Sequence, residues 1–379
     1  MSATNIDNIF QDIDILKDFV VPKLLIRRVV KLVEEEEILR LIRKLGPFNL
    51  DEVCSIFRKK LGYVLNEPVR KRMVMNLLNI LVEAGFLKKS DNNRYHLNND
   101  KEVTLPVADI AGVAKLKKIF NDEISFYNNC IDYTGRFLRG APPLYGFDSQ
   151  YSKIWEAFLG NYAFSVARMV LLQSLRIEDK ATFQILDLCY GTGQGLELIY
   201  KLYPKTRITA IDFTDIFQKQ ARQKIELLQR ENSTQKTVGF PVKWVPSTEW
   251  KGFGDRLPFR EKTFDVVFFA CADPYIPSYL REEVYRDISR ILKPGGGLGV
   301  MTRSYPGPEN KYITNNWAKM AIYLHDFAEG VCANWHGFYE VEENLKMFKR
   351  LGYLPRSPFS NRFSLLDYAL WGLEKPSNG

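Results

Sequence analysis

The sequence predicts an α/β fold, a parallel sheet with helical crossovers, preceded by a mainly α-helical module. Two observations carry the sheet. The stretch FQILDLCYGTGQG reads as a buried strand (Phe183 to Leu188), then a turn holding Gly191, Gly193 and Gly195, with a helix from Leu196 to Tyr203 beyond it. The apolar run RITAID follows and closes on Asp212, which completes half of a βαβ unit. A third observation carries the module: over residues 1 to about 100 apolar side chains recur at helical spacing between turn residues.

The turn is glycine-rich because side chains there would keep backbone N–H groups from a polar ligand at the helix N-terminus. A carboxylate about 20 residues on, at the end of the next strand, is placed to accept both hydroxyls of a ribose, and Asp212 stands there. A dinucleotide fold needs G-x-G-x-x-G, whereas this turn reads G-T-G-Q-G with Leu196 at the third glycine's place, so a nicotinamide dinucleotide is disfavoured. Further on, Thr263 to Asp273 (TFDVVFFACAD) is another buried strand, and Glu282 to Thr302 gives a helix, a Pro-Gly-Gly turn and a fifth strand.

These motifs in this order resemble the class I S-adenosylmethionine-dependent methyltransferases: D-x-x-x-G-T-G, an acid after strand two, LPF-x-x-x-x-FD before strand four, and LKPGG before strand five. The resemblance implies a seven-stranded Rossmann-like core with S-adenosyl-L-methionine as cofactor. Cys189 replaces the family's first glycine. A cysteine fits there if its φ stays negative, with Tyr190 covering one side of the cofactor.

The chain is long enough for two domains, and its 46% hydrophobic and 13% aromatic composition is ordinary for a globular protein. No apolar run reaches the length of a membrane span, and the start, MSATNIDNIFQDID, lacks the basic and apolar regions of a signal peptide. A cytoplasmic protein without membrane contact is expected. Five scattered cysteines with no C-x-x-C suggest neither a disulfide framework nor a metal site. The net charge of +8 is spread along helices such as LLIRRVVKL and VRKRMVMNLL, which favours solvated helix faces over nucleic-acid binding.

In the N-terminal module Leu24 to Leu45 reads as one long helix, with Gly46-Pro47 behind it. Asn49-Leu-Asp-Glu caps a helix from Val53 to Leu61, and Glu67-Pro68 opens a third helix through Ala84. Phe86 to Lys89 and Arg94 to Leu97 form a hairpin about Ser90-Asp-Asn-Asn. Three helices and a hairpin make a winged helix. Its third helix carries Arg70, Lys71 and Arg72, where a DNA-binding member places its base-reading residues. The layout is similar to small-molecule O-methyltransferases that open with this module as a dimerisation domain, which implies a homodimer. The expected division is a winged-helix domain over 1–104, a helical connector over 105–175, and a catalytic domain over 176–379 with a lid insertion at 303–340. Trp155, Phe158, Leu159, Tyr162 and Val166 are read as one helix leading into the core.

The resemblance also implies site residues. Amides of Gly191 and Gly193 meet the methionine carboxylate, Asp187 lies by its ammonium, Asp212 holds the ribose and Phe213 lies on the adenine. Ser247, Thr248 and Asp255 are alternatives for the adenine edge. The segment Ala270-Cys271-Ala272-Asp273-Pro274-Tyr275 faces the methyl group. Tyr145, Phe147, Tyr151, Asp273, Tyr305, Tyr312, Trp317 and Trp335 are candidate acceptor contacts, half of them in the aromatic insertion. A neutral hydroxyl acceptor needs a general base. Plant-type O-methyltransferases carry a histidine soon after strand four, and this chain has none there, so His325, His336 and Tyr275 are the catalytic candidates. An acidic phenol, a carboxylate or an enol-like carbon needs little or no base. The function expected is methylation of a small aromatic or hydrophobic acceptor, on oxygen before carbon. The rival is a nucleic-acid binder or methyltransferase, against which Ala272-Asp273-Pro274-Tyr275 lacks the N-P-P-[YFW] motif.

Overall fold

The computed structural model describes residues 20–98, 113–234, 241–305, 316–355 and 369–377. The chain divides into two compact units, Met1–Gly146 with Pro308–Gly337, and Phe147–Gly307 with Phe338–Gly379. The division falls inside the stretch read as a connector, and most of the insertion read as a lid returns to the first unit.

The first unit is built from helices α1 (Val20–Glu35), α2 (Ile38–Arg43), α3 (Leu50–Leu61), α4 (Pro68–Glu83) and α5 (Val113–Leu138), with a hairpin of β1 (Leu87–Lys89) and β2 (Tyr95–Leu97). The single helix expected over 24–45 is two. The break falls in the run Glu34 to Glu37, where like charges crowd one turn. Glu37 takes a left-handed conformation (φ 52°), and the Glu36 side chain accepts from Arg139 and Tyr63. The α3 cap is a full capping box: the Asn49 side chain accepts from the Glu52 N–H at 2.9 Å, and Glu52 accepts from the Asn49 N–H at 2.8 Å.

The second unit begins with α6 (Ser152–Leu159) and α7 (Tyr162–Ser174). Gly160 ends α6, and the Asn161 side chain caps α7 by accepting from the Phe164 N–H, so the helix read as continuous bends there. The core then runs β3 (Gln184–Leu188), α8 (Gln194–Leu202), β4 (Arg207–Ile211), α9 (Gln218–Thr234), β5 (Lys243–Val245), β6 (Phe264–Ala270), α10 (Arg281–Ile291) and β7 (Leu292–Thr302). The Pro-Gly-Gly segment forms the start of β7 rather than a separate turn, and the β6–β7 register shifts between Phe264 and Val266. After β8 (Ser304–Tyr305) the described chain resumes at α11 (Asn316–Glu329) of the first unit, then β9 (Tyr339–Glu340), α12 (Val341–Arg350), β10 (Leu354–Pro355) and β11 (Ala369–Glu374).

The seven-stranded sheet has the order β10-β11-β7-β6-β3-β4-β5, and every strand runs the same way except β11, which is antiparallel to both of its neighbours. This is the seven-stranded Rossmann-like architecture that the motif order predicts. Near-continuous apolar strands make it so: Ile185, Leu186, Val266, Val267, Phe268 and Phe269 are all buried, as a sheet covered on both faces requires. From β3 the chain winds one way to β4 and β5, and from β6 the other way to β7. The crevice beyond the C-terminal ends of β3 and β6 is therefore the switch point at which such sheets bind ligands.

Candidate functional site

Asp187 and Cys189 lie at the end of β3, and Cys271 just beyond β6, on either side of that switch point. Asp187 is 2% exposed, and its Oδ2 has no hydrogen-bond partner. A Cβ on Gly195 would lie 2.9 Å from that oxygen, so glycine there lets α8 start against the carboxylate. Burial raises the Asp187 carboxyl to about 8, opposed by the Arg168 guanidinium and assisted by the Asp212 charge.

Asp212 is also buried. Its Oδ2 accepts the Gly191 N–H at 2.9 Å and its Oδ1 the Thr214 N–H at 3.3 Å. Burial raises it to about 7 against the amides that favour its charge. The Gly193 N–H donates to the Tyr190 carbonyl at 2.9 Å, so both turn amides expected to meet a ligand carboxylate are engaged within the protein. Gly191 (φ 52°) faces open space where a Cβ would stand, whereas a Cβ on Gly193 (φ 90°) would meet Ala221 of α9 at 2.8 Å.

Cys189 has φ 60°, which corrects the expectation that it keeps a negative φ. Its N–H donates to the Ile211 carbonyl at 2.8 Å, and that ladder bond between β3 and β4 holds it in the left-handed region. Tyr190 meets Trp244 of β5 edge-on, with centroids 5.3 Å apart. Cys271 repeats the device at the end of β6, with φ 66° and its N–H on the Met301 carbonyl at 2.8 Å.

Around this end of the sheet stands an aromatic group. The half-buried Phe147 stacks on Trp155 at 5.3 Å and meets Phe213 and Tyr275 edge-on at 5.3 and 5.1 Å. Ser247 donates to Asp215, Thr248 is exposed, and Asp255 lines a cavity of about 280 Å³ with Leu188, Trp250, Phe253 and Val284. Ala270 is half-buried at the end of β6. Asp273 is fully enclosed: it accepts from Arg281 at 2.8 Å, Tyr285 at 2.5 Å and Thr302 at 3.3 Å, an anchor for the loop after β6. Tyr305 meets Phe338 edge-on at 6.3 Å, and Tyr151 ends the short turn before α6.

The remaining candidates are in the first unit. Tyr145 stacks on Phe126 and accepts from Asn129, and the Trp335 indole donates to Asp326. His325 is buried, stacked on Tyr127 at 4.7 Å and 4.0 Å from Glu123. Partial burial and then the Arg72 charge hold the His336 imidazole below its ordinary range. Trp317 lies in α11, and Tyr312 falls outside the described residues. Sequence reasoning missed Arg168 of α7, 4% exposed, whose Nη1 donates to the Leu159 carbonyl at 2.7 Å and whose Nη2 lies 4.0 Å from the Cys271 Sγ. One mid-helix arginine among apolar residues carries no signal of its own.

Two buried carboxylates beside a glycine turn that is open at Gly191 suit a ligand with a positive charge and paired hydroxyls, which S-adenosylmethionine has. Residues 185–296 match the family model described as a methyltransferase domain. A demethylmenaquinone methyltransferase of Listeria welshimeri is 24% identical over 186 residues, covering 48% of this chain and 71% of that protein. Its counterpart from Lactococcus lactis is 30% identical over 132 residues, 35% of this chain and 46% of that protein. Among solved structures, the CurJ carbon methyltransferase is similar with a TM-score of 0.53 at 16% identity, covering 98% of this chain and 99% of that one. An O-methyltransferase family 2 protein from Planctomyces limnophilus, in complex with apigenin, has a TM-score of 0.52 at 14% identity, covering 96% and 95%. The second unit carries a class I methyltransferase domain. The protein is an S-adenosylmethionine-dependent methyltransferase.

Proposed function

We propose that this enzyme methylates a small aromatic or hydrophobic acceptor, on oxygen first, and that Phe147 and Tyr275, in the aromatic group at the switch point, receive it. That aromatic group is the observation that carries the reading. The donor supplies a methyl group on a sulfonium. The chain's own residues bind and orient: Asp212 takes the ribose hydroxyls, Asp187 the ammonium, and Phe213 packs on the adenine. Transfer is then an in-line displacement, for which alignment and exclusion of water are the protein's main contribution.

His325, the nearer histidine in sequence to β6, is enclosed between Tyr127 and the Glu123 side. This supports an acceptor acidic enough to ionise without a general base: a phenol, a carboxylic acid or an enolisable carbon. Carbon methylation is the second reading for that reason. With radiolabelled S-adenosylmethionine and phenol, carboxylic-acid and 1,3-dicarbonyl probes, label should enter one class. Base-labile label marks an ester, and stable label marks an aryl ether or a C-methyl. Transfer to nucleic acid alone would defeat the reading.

The helices and hairpin of the first unit support a winged helix acting in dimerisation rather than in DNA binding, in a cytoplasmic enzyme. Arg70 is buried, pairs with Glu67 at 3.1 Å and lies 4.8 Å over the Phe137 ring; Lys71 pairs with Asp51 at 2.7 Å, and Arg72 lies 3.7 Å from Asp326. All three cations expected to read bases have partners within their own unit. Sedimentation should give a dimer, and random duplex DNA should not bind. A monomer whose micromolar DNA affinity falls log-linearly with salt overturns this assignment.

A further inference from the structure

Resting on the proposed placement of the cofactor, we propose that Arg168 holds the carboxylate of its methionine end, in place of the glycine-turn amides, while Asp187 holds the ammonium. Arg168 and Asp187 then form a clamp for an amino-acid zwitterion. Three observations meet here. The Gly191 and Gly193 amides are already taken, by Asp212 and by the Tyr190 carbonyl. Asp187 Oδ2 is buried without a donor. Arg168 is a guanidinium 4% exposed, whose partners among the described residues are the Leu159 carbonyl, the Cys271 sulfur at 4.0 Å and the Phe164 ring at 5.6 Å, with no carboxylate among them.

A buried cation without a carboxylate is costly, as is a buried carboxylate without a donor, because neither recovers the hydration it has lost. Here both stand at one end of the sheet, Asp187 near the end of β3 beside β6 and the Arg168 guanidinium against Cys271 just beyond β6, and the field of Arg168 acts on Asp187. A ligand bearing an ammonium and a carboxylate on one carbon satisfies both at once. The planar guanidinium offers two parallel donors to a carboxylate, which lysine cannot do. Arg168 projects from α7, whose start is fixed by the Asn161 cap, and its Nη1 bond to Leu159 fixes one edge of the guanidinium.

Calorimetry on the full chain, with two unreactive ligands, tests this. S-adenosylhomocysteine carries the amino-acid end, and 5′-methylthioadenosine lacks it. Arg168→Met should weaken S-adenosylhomocysteine binding by about tenfold to a hundredfold, the loss expected for a charged hydrogen-bonded pair, and leave 5′-methylthioadenosine unchanged. Arg168→Lys should recover part of the loss. Equal affinity of variant and wild type for S-adenosylhomocysteine overturns the clamp, and so does an equal loss for both ligands. If the wild type binds neither ligand, the placement of the cofactor itself fails. Should Arg168→Met not fold, the wild type decides alone. Decarboxylated S-adenosylmethionine should bind at least about tenfold more weakly than S-adenosylmethionine, and equal affinity overturns the clamp.

Discussion

At the scale of single residues the site is defined by two carboxyls held far from their ordinary acidity. Burial lifts Asp187 to about 8 and Asp212 to about 7 from an ordinary 3.8. The folded protein therefore keeps protons that the unfolded chain releases. The contribution to stability is full below the ordinary carboxylate range and is lost as pH rises through the raised values. The melting temperature of the ligand-free protein should fall between about pH 5 and pH 8 for this reason. Binding a cationic ammonium beside Asp187 favours the ionised form, so at pH 7 cofactor binding should release most of one proton. Calorimetry in buffers of different ionisation enthalpy measures it, and Asp187→Asn should remove the dependence. Binding enthalpies that are identical in all buffers would contradict this account. Asp212 was legible in the sequence as the acid that closes strand two, and the structure holds it buried there, accepting from the Gly191 and Thr214 amides. Asp273 was legible as a residue of the loop after β6, yet its enclosure by Arg281, Tyr285 and Thr302 depends on residues 8, 12 and 29 positions away.

At the scale of elements, local signals were read well wherever they are self-contained. The Asn49–Glu52 capping box, Pro68 at the start of α4 and the hairpin turn after Lys89 each involve residues within four positions, and each stands as read. The breaks that periodicity did not reveal have partners or competitors outside the window. Apolar spacing continues across Glu36 and Glu37, but the backbone turns left-handed at Glu37, and Glu36 pairs with Arg139, about 100 residues later. Apolar spacing also crosses Gly160-Asn161, where a glycine end and an asparagine cap together outweigh it. Cys189 and Cys271 show the same limit in the backbone. Their left-handed conformation follows from ladder bonds to Ile211 and Met301 on neighbouring strands, and only the assembled sheet supplies those bonds.

At the scale of the whole molecule, the seven-stranded sheet was expected from the family resemblance that the order of motifs carries, and the structure has it. The path of the insertion was not legible. Its aromatic and imidazole content suggested a lid; of that content, His325 and Trp335 are buried inside the first unit. Asp326 of α11 is the centre of that burial: its Oδ2 accepts from Asn76 of α4 at 2.9 Å and its Oδ1 from the Trp335 indole at 2.7 Å, with Arg72 at 3.7 Å. On this side α11 packs closely enough that a Cβ on Gly330 would lie 2.7 Å from Met73 of α4. The first unit is therefore completed by a segment that arrives only after the sheet has been laid down to β8. Asp326→Ala removes an acceptor from each of two buried donors, Asn76 and the Trp335 indole, at about 1 to 3 kcal/mol each, so the unit should lose several kcal/mol. Hydrogen exchange on the full chain should show α4 and α11 losing protection together, while the strands β3, β6 and β7 keep theirs. If α11 alone loses protection, α4 does not depend on the returning segment, and the first unit is folded before the insertion reaches it.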